Sequence, residues 1–164
     1  MDLSRTVYIV NFSICLLLIG FAFFFNHVLQ VNPCPLCSLQ LSCYYVICII
    51  SLTGFFHDPQ RLGRYAYAIL LLVMTILGII FALRQVWLQH LPMAHLRVCE
   101  PHLSSLISQL GFYDLVRELF YYGDECTPVQ WKFLNVTMAG WSVFFFALLI
   151  INSLVLLFHA IRNK

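Results

Sequence analysis

The sequence predicts an all-α membrane protein, a single domain built as a four-transmembrane-helix bundle with a long outer loop that contains short amphipathic helices. The chain has 164 residues, of which 62% are hydrophobic and 10% charged, a composition far from that of a soluble domain. Crossing a hydrocarbon layer about 30 Å thick takes roughly 20 helical residues. Four apolar runs approach that length: Val7 to Phe25, Leu36 to Phe56, Tyr65 to Leu83, and Trp141 to Phe158.

The first run is expected to stay in the mature protein as a span. Arg5 precedes it, as a basic residue precedes the apolar region of a secretion signal. The run is long for such a signal, however, and no small-x-small cleavage site follows it.

The second and third spans are joined by the short segment HDPQRLGR. Pro35 suits the first turn of a helix, so the second helix is expected to begin beside the cysteines of NPCPLC. Arg84 follows the third span, where a long basic side chain can extend to the membrane interface.

The outer loop, about residues 84–140, separates the third span from the fourth. Its segment Leu103 to Tyr122 is amphipathic and is divided by Gly111. These pieces are too polar to span a membrane, so they are expected to lie on its surface.

Charge predicts the orientation of the chain. Basic residues cluster at Arg5, at Arg61 and Arg64, and at Arg162 and Lys164. By the positive-inside rule these regions face the cytoplasm, together with both termini. NPCPLC and the long loop then face outward. The net charge of +2, without a basic patch, predicts no nucleic-acid partner.

The seven cysteines fall into two groups. Three lie inside predicted spans, where cysteine packs as a small hydrophobe: Cys15, Cys43 and Cys48. Four lie on the outward side, which is the oxidising one: Cys34, Cys37, Cys99 and Cys126.

The outward cysteines can be structural disulfides, a metal site or redox dithiols. Closing the ring from Cys34 to Cys37 would stabilise the fold by about 2 kcal/mol, against about 3.6 kcal/mol for a ring from Cys99 to Cys126. A weak, easily reduced ring is typical of catalytic dithiols. Zinc prefers a second CxxC or a spaced histidine pair, so no metal is expected.

Two outward dithiols favour an electron relay. The start of the second helix would stabilise a thiolate at Cys34, while Cys37, one turn deeper, would lie at the membrane boundary. Electrons from a soluble thiol donor would enter at the loop pair and leave through the membrane-edge pair. Since the glycines form no GxGxxG motif and no P-loop, a membrane quinone is the expected acceptor.

The motifs closely resemble those of the DsbB family, bacterial inner-membrane enzymes that reoxidise the periplasmic dithiol oxidase DsbA. The resemblance rests on PCPLC at 33–37, RQVWLQHLP at 84–92, Cys99, and YGDECTPVQWKFLNVTMAGWSVFFF at 122–146. It implies a protein-thiol:quinone oxidoreductase with ubiquinone or menaquinone as the acceptor. The implied partners are a DsbA-like oxidase, the quinone pool and the lipid bilayer.

The resemblance also implies a role for each outward cysteine. Cys37 would be the thiolate that meets the quinone, and Cys34 the partner that exchanges with the loop. Cys99 would form the mixed disulfide with DsbA, and Cys126 would carry the link back to Cys34.

The chain departs from the family at two positions. The family usually has an arginine four residues after the second cysteine, close to the quinone, and this chain has Leu41 there. Arg84 could supply the missing cation and His90 a hydrogen-bond donor, although Arg84 fits an interfacial anchor equally well. Ala139 stands where proline is common, at the entry to the fourth helix.

Two alternative functions are considered. A vitamin K epoxide reductase-like enzyme also combines a helical bundle with CxxC, but in that family the loop pair precedes the CxxC. A tetraspan scaffold stapled by Cys99 and Cys126 explains the loop pair but leaves PCPLC without a role. A scaffold would keep its cysteines oxidised, whereas a relay would change state when quinone is withdrawn.

Overall fold

The computed structural model describes residues 3–28, 35–57, 61–89, 132–133 and 136–162. They form four long helices and a small hairpin: α1 Leu3–Val28, α2 Pro35–His57, α3 Arg61–Gln89, β1 Lys132–Phe133, β2 Val136–Thr137 and α4 Met138–Arg162. All four helices are long and apolar enough to cross a membrane. The predicted all-α, four-helix membrane fold is confirmed.

Each helix contains the apolar run that predicted it and extends beyond that run. The largest difference is at the end of α3, which continues past Leu83 to Gln89. The added turn contains neither glycine nor proline, and most of its residues are good helix formers. Arg84 therefore lies inside a helix. The amphipathic pieces expected between Leu103 and Tyr122 lie outside the described residues.

The helices alternate in direction around the bundle. Each packs against the next along the chain, and α4 returns to contact α1. Ser4 Oγ lies 3.4 Å from His159 Nδ1, which places the start of α1 beside the end of α4. Tyr8 packs against Gly54 near the end of α2 and against Tyr67 near the start of α3. One end of the bundle thus contains both described termini.

Two stacked aromatic rings fill the core where α2, α3 and α4 meet. Phe146 of α4 is fully buried and stacks on Tyr44 of α2, with ring centroids 4.3 Å apart and planes at 8°. A side chain at Gly78 of α3 would overlap the Phe146 ring. Glycine is required there because the ring occupies the space of a side chain.

An amide pair joins α1 to α4 within the apolar bundle. Asn152 Nδ2 donates to Asn11 Oδ1 at 2.9 Å, and Asn11 is fully buried. Hydrogen bonds of this kind hold transmembrane helices in register, because hydrocarbon offers the amides no other partners.

A capped turn leads into α4. The hairpin is antiparallel, with Lys132 opposite Thr137 and Phe133 opposite Val136. Thr137 Oγ1 then accepts a hydrogen bond from the Gly140 N–H at 3.2 Å, as an N-cap residue does. Ala139 is buried in this first turn, two positions after the threonine cap.

Candidate functional site

The candidate site lies at the end of the bundle opposite Ser4 and His159. Here α2 begins at Pro35 and α3 ends at Gln89. Cys37 is half-buried in the first turn of α2. Two buried leucines lie in the same terminal turns, Leu36 on α2 and Leu88 on α3. The sulfur of Cys37 is therefore held in a packed end of the helical bundle.

Two glutamines form a hydrogen-bonded chain that ends on the sulfur of Cys37. Gln85 Nε2 donates to Cys37 Sγ at 3.0 Å. Gln40 Nε2 donates in turn to Gln85 Oε1 at 2.6 Å. Both glutamines are only 4% exposed. Buried amides are unfavourable unless they are hydrogen-bonded, and here both polar atoms of the Gln85 side chain have partners on α2.

Helix geometry explains why one side chain of α3 reaches both residues of α2. Cys37 and Gln40 are three positions apart, so they lie on the same face of α2. Gln85 comes from the neighbouring helix and lies between them. The site is thus a contact between the first turns of α2 and the last turns of α3.

The glutamines were missed by reasoning from the sequence. The sequence did contain a signal in Gln40, which lies inside an apolar run one turn after Cys37. Polar residues are rare at lipid-facing positions, so such a residue is expected to face another helix. The contact between the two glutamines could not be found that way, since it depends on how far α3 extends and on its rotation against α2.

Of the residues with expected quinone contacts, two lie in the described part of the chain. Leu41 is half-buried and one turn beyond Cys37 on α2. Arg84 is half-buried, and its Cζ lies 4.6 Å from the centroid of the Trp87 ring, which is 56% exposed. This cation–π contact suits an interfacial position. Its neighbour Gln85 supplies the hydrogen bond to Cys37.

The other candidate residues lie outside the described ranges. They are Cys34, His90, Cys99 and Cys126. Their roles therefore stay predictions from the sequence and the family resemblance.

The three cysteines within the spans belong to the packing of the bundle. Cys15 is fully buried and Cys43 is 5% exposed, and both belong to the main hydrophobic cluster. Cys48 is half-buried against that cluster. They are therefore suitable controls for substitutions at Cys37.

Comparison with known proteins identifies the family. A family model described as "Disulfide bond formation protein DsbB" matches residues 4–156. "Disulfide bond formation protein B" of Marinobacter nauticus is 34% identical over 151 residues, which cover 92% of this chain and 90% of that protein.

Two further relatives agree. "Disulfide bond formation protein B" of Nitrosospira multiformis is 35% identical over 153 residues, covering 93% of this chain and 90% of the relative. "Disulfide bond formation protein B 1" of Pseudomonas aeruginosa is 30% identical over 142 residues, covering 87% of each chain. With its four membrane-crossing helices and its cysteine at the start of the second, the chain belongs to the DsbB family of disulfide bond formation proteins.

Proposed function

We propose that this protein is a protein-dithiol:quinone oxidoreductase that reoxidises a soluble DsbA-like dithiol oxidase. The observation that carries the proposal is the position of Cys37. Its sulfur lies in the first turn of a membrane-crossing helix and accepts a hydrogen bond from a buried amide. A thiol at the end of such a helix can react with an acceptor dissolved in the bilayer, while Cys34, three residues earlier, can exchange with the loop cysteines.

The reaction balances as two thiol–disulfide exchanges followed by one two-electron reduction. The reduced partner gives its two electrons and two protons to the Cys99–Cys126 disulfide, and the partner leaves as a disulfide. The loop dithiol then reduces the Cys34–Cys37 disulfide by a second exchange. Finally, the Cys34–Cys37 pair closes again, and the quinone takes up two electrons and two protons to become the quinol.

The residues around Cys37 suit a quinone as the acceptor. A quinone is a flat apolar ring with two carbonyl oxygens, so it needs apolar contacts and a few hydrogen-bond donors. Leu41, which is half-buried, supplies apolar surface at this end of α2, whereas Leu36 and Leu88 are buried and pack the ends of the two helices. Arg84 and His90 are the proposed donors to the quinone oxygens, and the bound quinone supplies the oxidising power.

We further propose that both termini face the cytoplasm and that the cysteine loops face the periplasm of a bacterial inner membrane. Arg5 at the start of α1, Arg64 at the start of α3 and Arg162 at the end of α4 all belong to the end of the bundle opposite Cys37. This distribution supports the orientation that the positive-inside rule predicts.

The proposal is tested with purified protein in detergent, a reduced DsbA-like oxidase and a soluble quinone. Quinone absorbance and free thiols are followed together. One quinone should be consumed for each dithiol oxidised, and Cys37→Ser should abolish quinone reduction. If Cys37→Ser still reduces quinone, electrons do not pass to the quinone through Cys37.

A second variant and a matched control separate the two steps. Cys126→Ser leaves Cys99 as a free thiol, which can attack the disulfide of the oxidised soluble oxidase. When that oxidised form is supplied, a mixed disulfide between Cys99 and the oxidase should accumulate on non-reducing gels. Cys43→Ser is the matched control for Cys37→Ser, because Cys43 is a core cysteine of the same helix, α2. The Cys43→Ser protein should reduce quinone at the rate of the parent. Thiols that stay oxidised in membranes whether or not quinone is present would instead indicate a structural loop disulfide.

A further inference from the structure

We propose that Gln85 is the hydrogen-bond donor that stabilises the Cys37 thiolate in this chain, and that Gln40 is a positioning residue that orients Gln85. The inference rests on the proposed function, because it assigns these glutamines to the step at which electrons leave Cys37. The family usually has an arginine at the position of Leu41. In this chain an uncharged amide from the neighbouring helix, that of Gln85, takes over the stabilising role of that arginine.

The reacting form of Cys37 needs such a donor. A thiolate is the nucleophile in disulfide chemistry, and an unpaired anion at the edge of a membrane is strongly unfavourable. Leu41 has no polar atom to offer. Gln85 Nε2 lies 3.0 Å from the sulfur, and a hydrogen bond to a charged acceptor is stronger than one between neutral groups.

Gln40 determines which end of the Gln85 amide faces the sulfur. An amide side chain can present either its NH2 group or its carbonyl oxygen. The oxygen of Gln85 accepts the 2.6 Å hydrogen bond from Gln40 Nε2, so the NH2 group is directed toward Cys37. Both glutamines are almost fully buried, so water competes little with this arrangement.

An uncharged donor suits this position on α3. Bringing a guanidinium into a buried site requires the removal of its hydration, which is a large penalty unless geometry is ideal. An amide needs much less desolvation, and its two polar atoms are already satisfied by α2. The sulfur is thus stabilised by a dipole instead of a full positive charge.

The alternative is that the glutamines only hold α2 against α3, as polar side chains do between transmembrane helices. That role would change the stability of the bundle but not the ionisation of Cys37. The two roles are therefore separated by measuring the thiolate directly.

The experiment compares three glutamine-to-methionine variants of the full-length protein, because methionine keeps the length of the side chain and removes the amide. After reduction, alkylation of Cys37 by iodoacetamide is followed by mass spectrometry of its peptide. The rate at neutral pH is divided by the rate at alkaline pH, where the thiol is fully ionised. This ratio reports the thiolate fraction and cancels differences in access.

Gln85→Met should lower the ratio at least about tenfold, the effect of losing a hydrogen bond to a charged group. Gln40→Met should lower it less, by a few fold, since Gln85 keeps its donor but loses its orientation. Gln89→Met is the matched control, one turn further along α3, and should leave the ratio unchanged. Adding Leu41→Arg to Gln85→Met should restore the ratio, because an arginine at 41 lies one turn from Cys37 on α2.

An unchanged ratio in Gln85→Met overturns the proposal, whatever happens to thermal stability. An equal fall in Gln89→Met also overturns it, because the effect would then belong to the packing of α3. The measurement needs no quinone. A lowered ratio in a protein that does not reduce quinone would support the role of Gln85 and contradict the proposed function instead.

Discussion

Gly78 of α3 leaves the space that the ring of Phe146 of α4 fills. Phe146 in turn stacks on Tyr44 of α2, whose hydroxyl lies 3.5 Å from the carbonyl oxygen of Ser142 on α4. One missing side chain therefore sets how closely α3 and α4 approach and where α2 meets them.

Gly78→Ala should destabilise the bundle because the added methyl group overlaps the Phe146 ring. Overpacking of a well-packed core typically costs about 1–3 kcal/mol, which should appear as a lower midpoint of thermal unfolding in detergent. Gly20→Ala is the control, since nothing lies within 4 Å of the added carbon there. A Gly78→Ala midpoint equal to that of Gly20→Ala would show that the ring moves aside without penalty.

The Asn11–Asn152 pair predicts unequal effects of single and double replacement. Asn152→Leu removes the donor and leaves the buried Asn11 amide without it, which should cost about 1–3 kcal/mol. Replacing both residues with leucine leaves no orphaned polar group, so the double variant should be more stable than Asn152→Leu. Unfolding in detergent followed by circular dichroism measures both. A double variant that is less stable than Asn152→Leu would contradict this prediction.

The spans could be predicted from the sequence because hydrocarbon allows only helices whose backbone is satisfied internally. Pro35 likewise marked the start of α2. The end of α3 was harder to place, because hydropathy falls at Arg84 while helix propensity continues to Gln89. The Gln40–Gln85–Cys37 chain was beyond sequence reasoning, since it depends on the rotation of one helix against another. The Thr137 cap, by contrast, had a local signal in a threonine directly before an apolar run.

Arg84 provides a prediction that separates a quinone role from an anchoring role. Arg84→Ala should slow quinone reduction about tenfold, equivalent to about 1.4 kcal/mol of barrier, while exchange with the soluble oxidase stays near normal. Leu41→Arg in the same chain should recover much of the loss. The measurement is quinone absorbance at matched protein and saturating partner. If Arg84→Ala reduces quinone at the rate of the parent, Arg84 has no role in quinone reduction and serves as an interfacial anchor that packs on Trp87.

Topology is tested by labelling intact cells with a membrane-impermeant thiol reagent after mild reduction. Cys99 should be labelled, because the loop is expected to face outward. A cysteine appended after Lys164 should be labelled only after permeabilisation, since the end of α4 lies at the opposite end of the bundle from Cys37. The reverse pattern would invert the proposed orientation.

The hairpin before α4 sets an upper bound on the distance between Cys126 and the bundle. Cys126 precedes Lys132, the first residue of β1, by six positions, so the covalent chain holds it within about 21 Å of that fixed point. Cys99 follows Gln89 by ten positions, which allows about 35 Å. The covalent chain thus sets a tighter upper bound on the distance between Cys126 and the bundle than on that between Cys99 and the bundle. This difference suits the proposed roles, in which Cys126 links back to the membrane-edge pair and Cys99 meets the soluble partner.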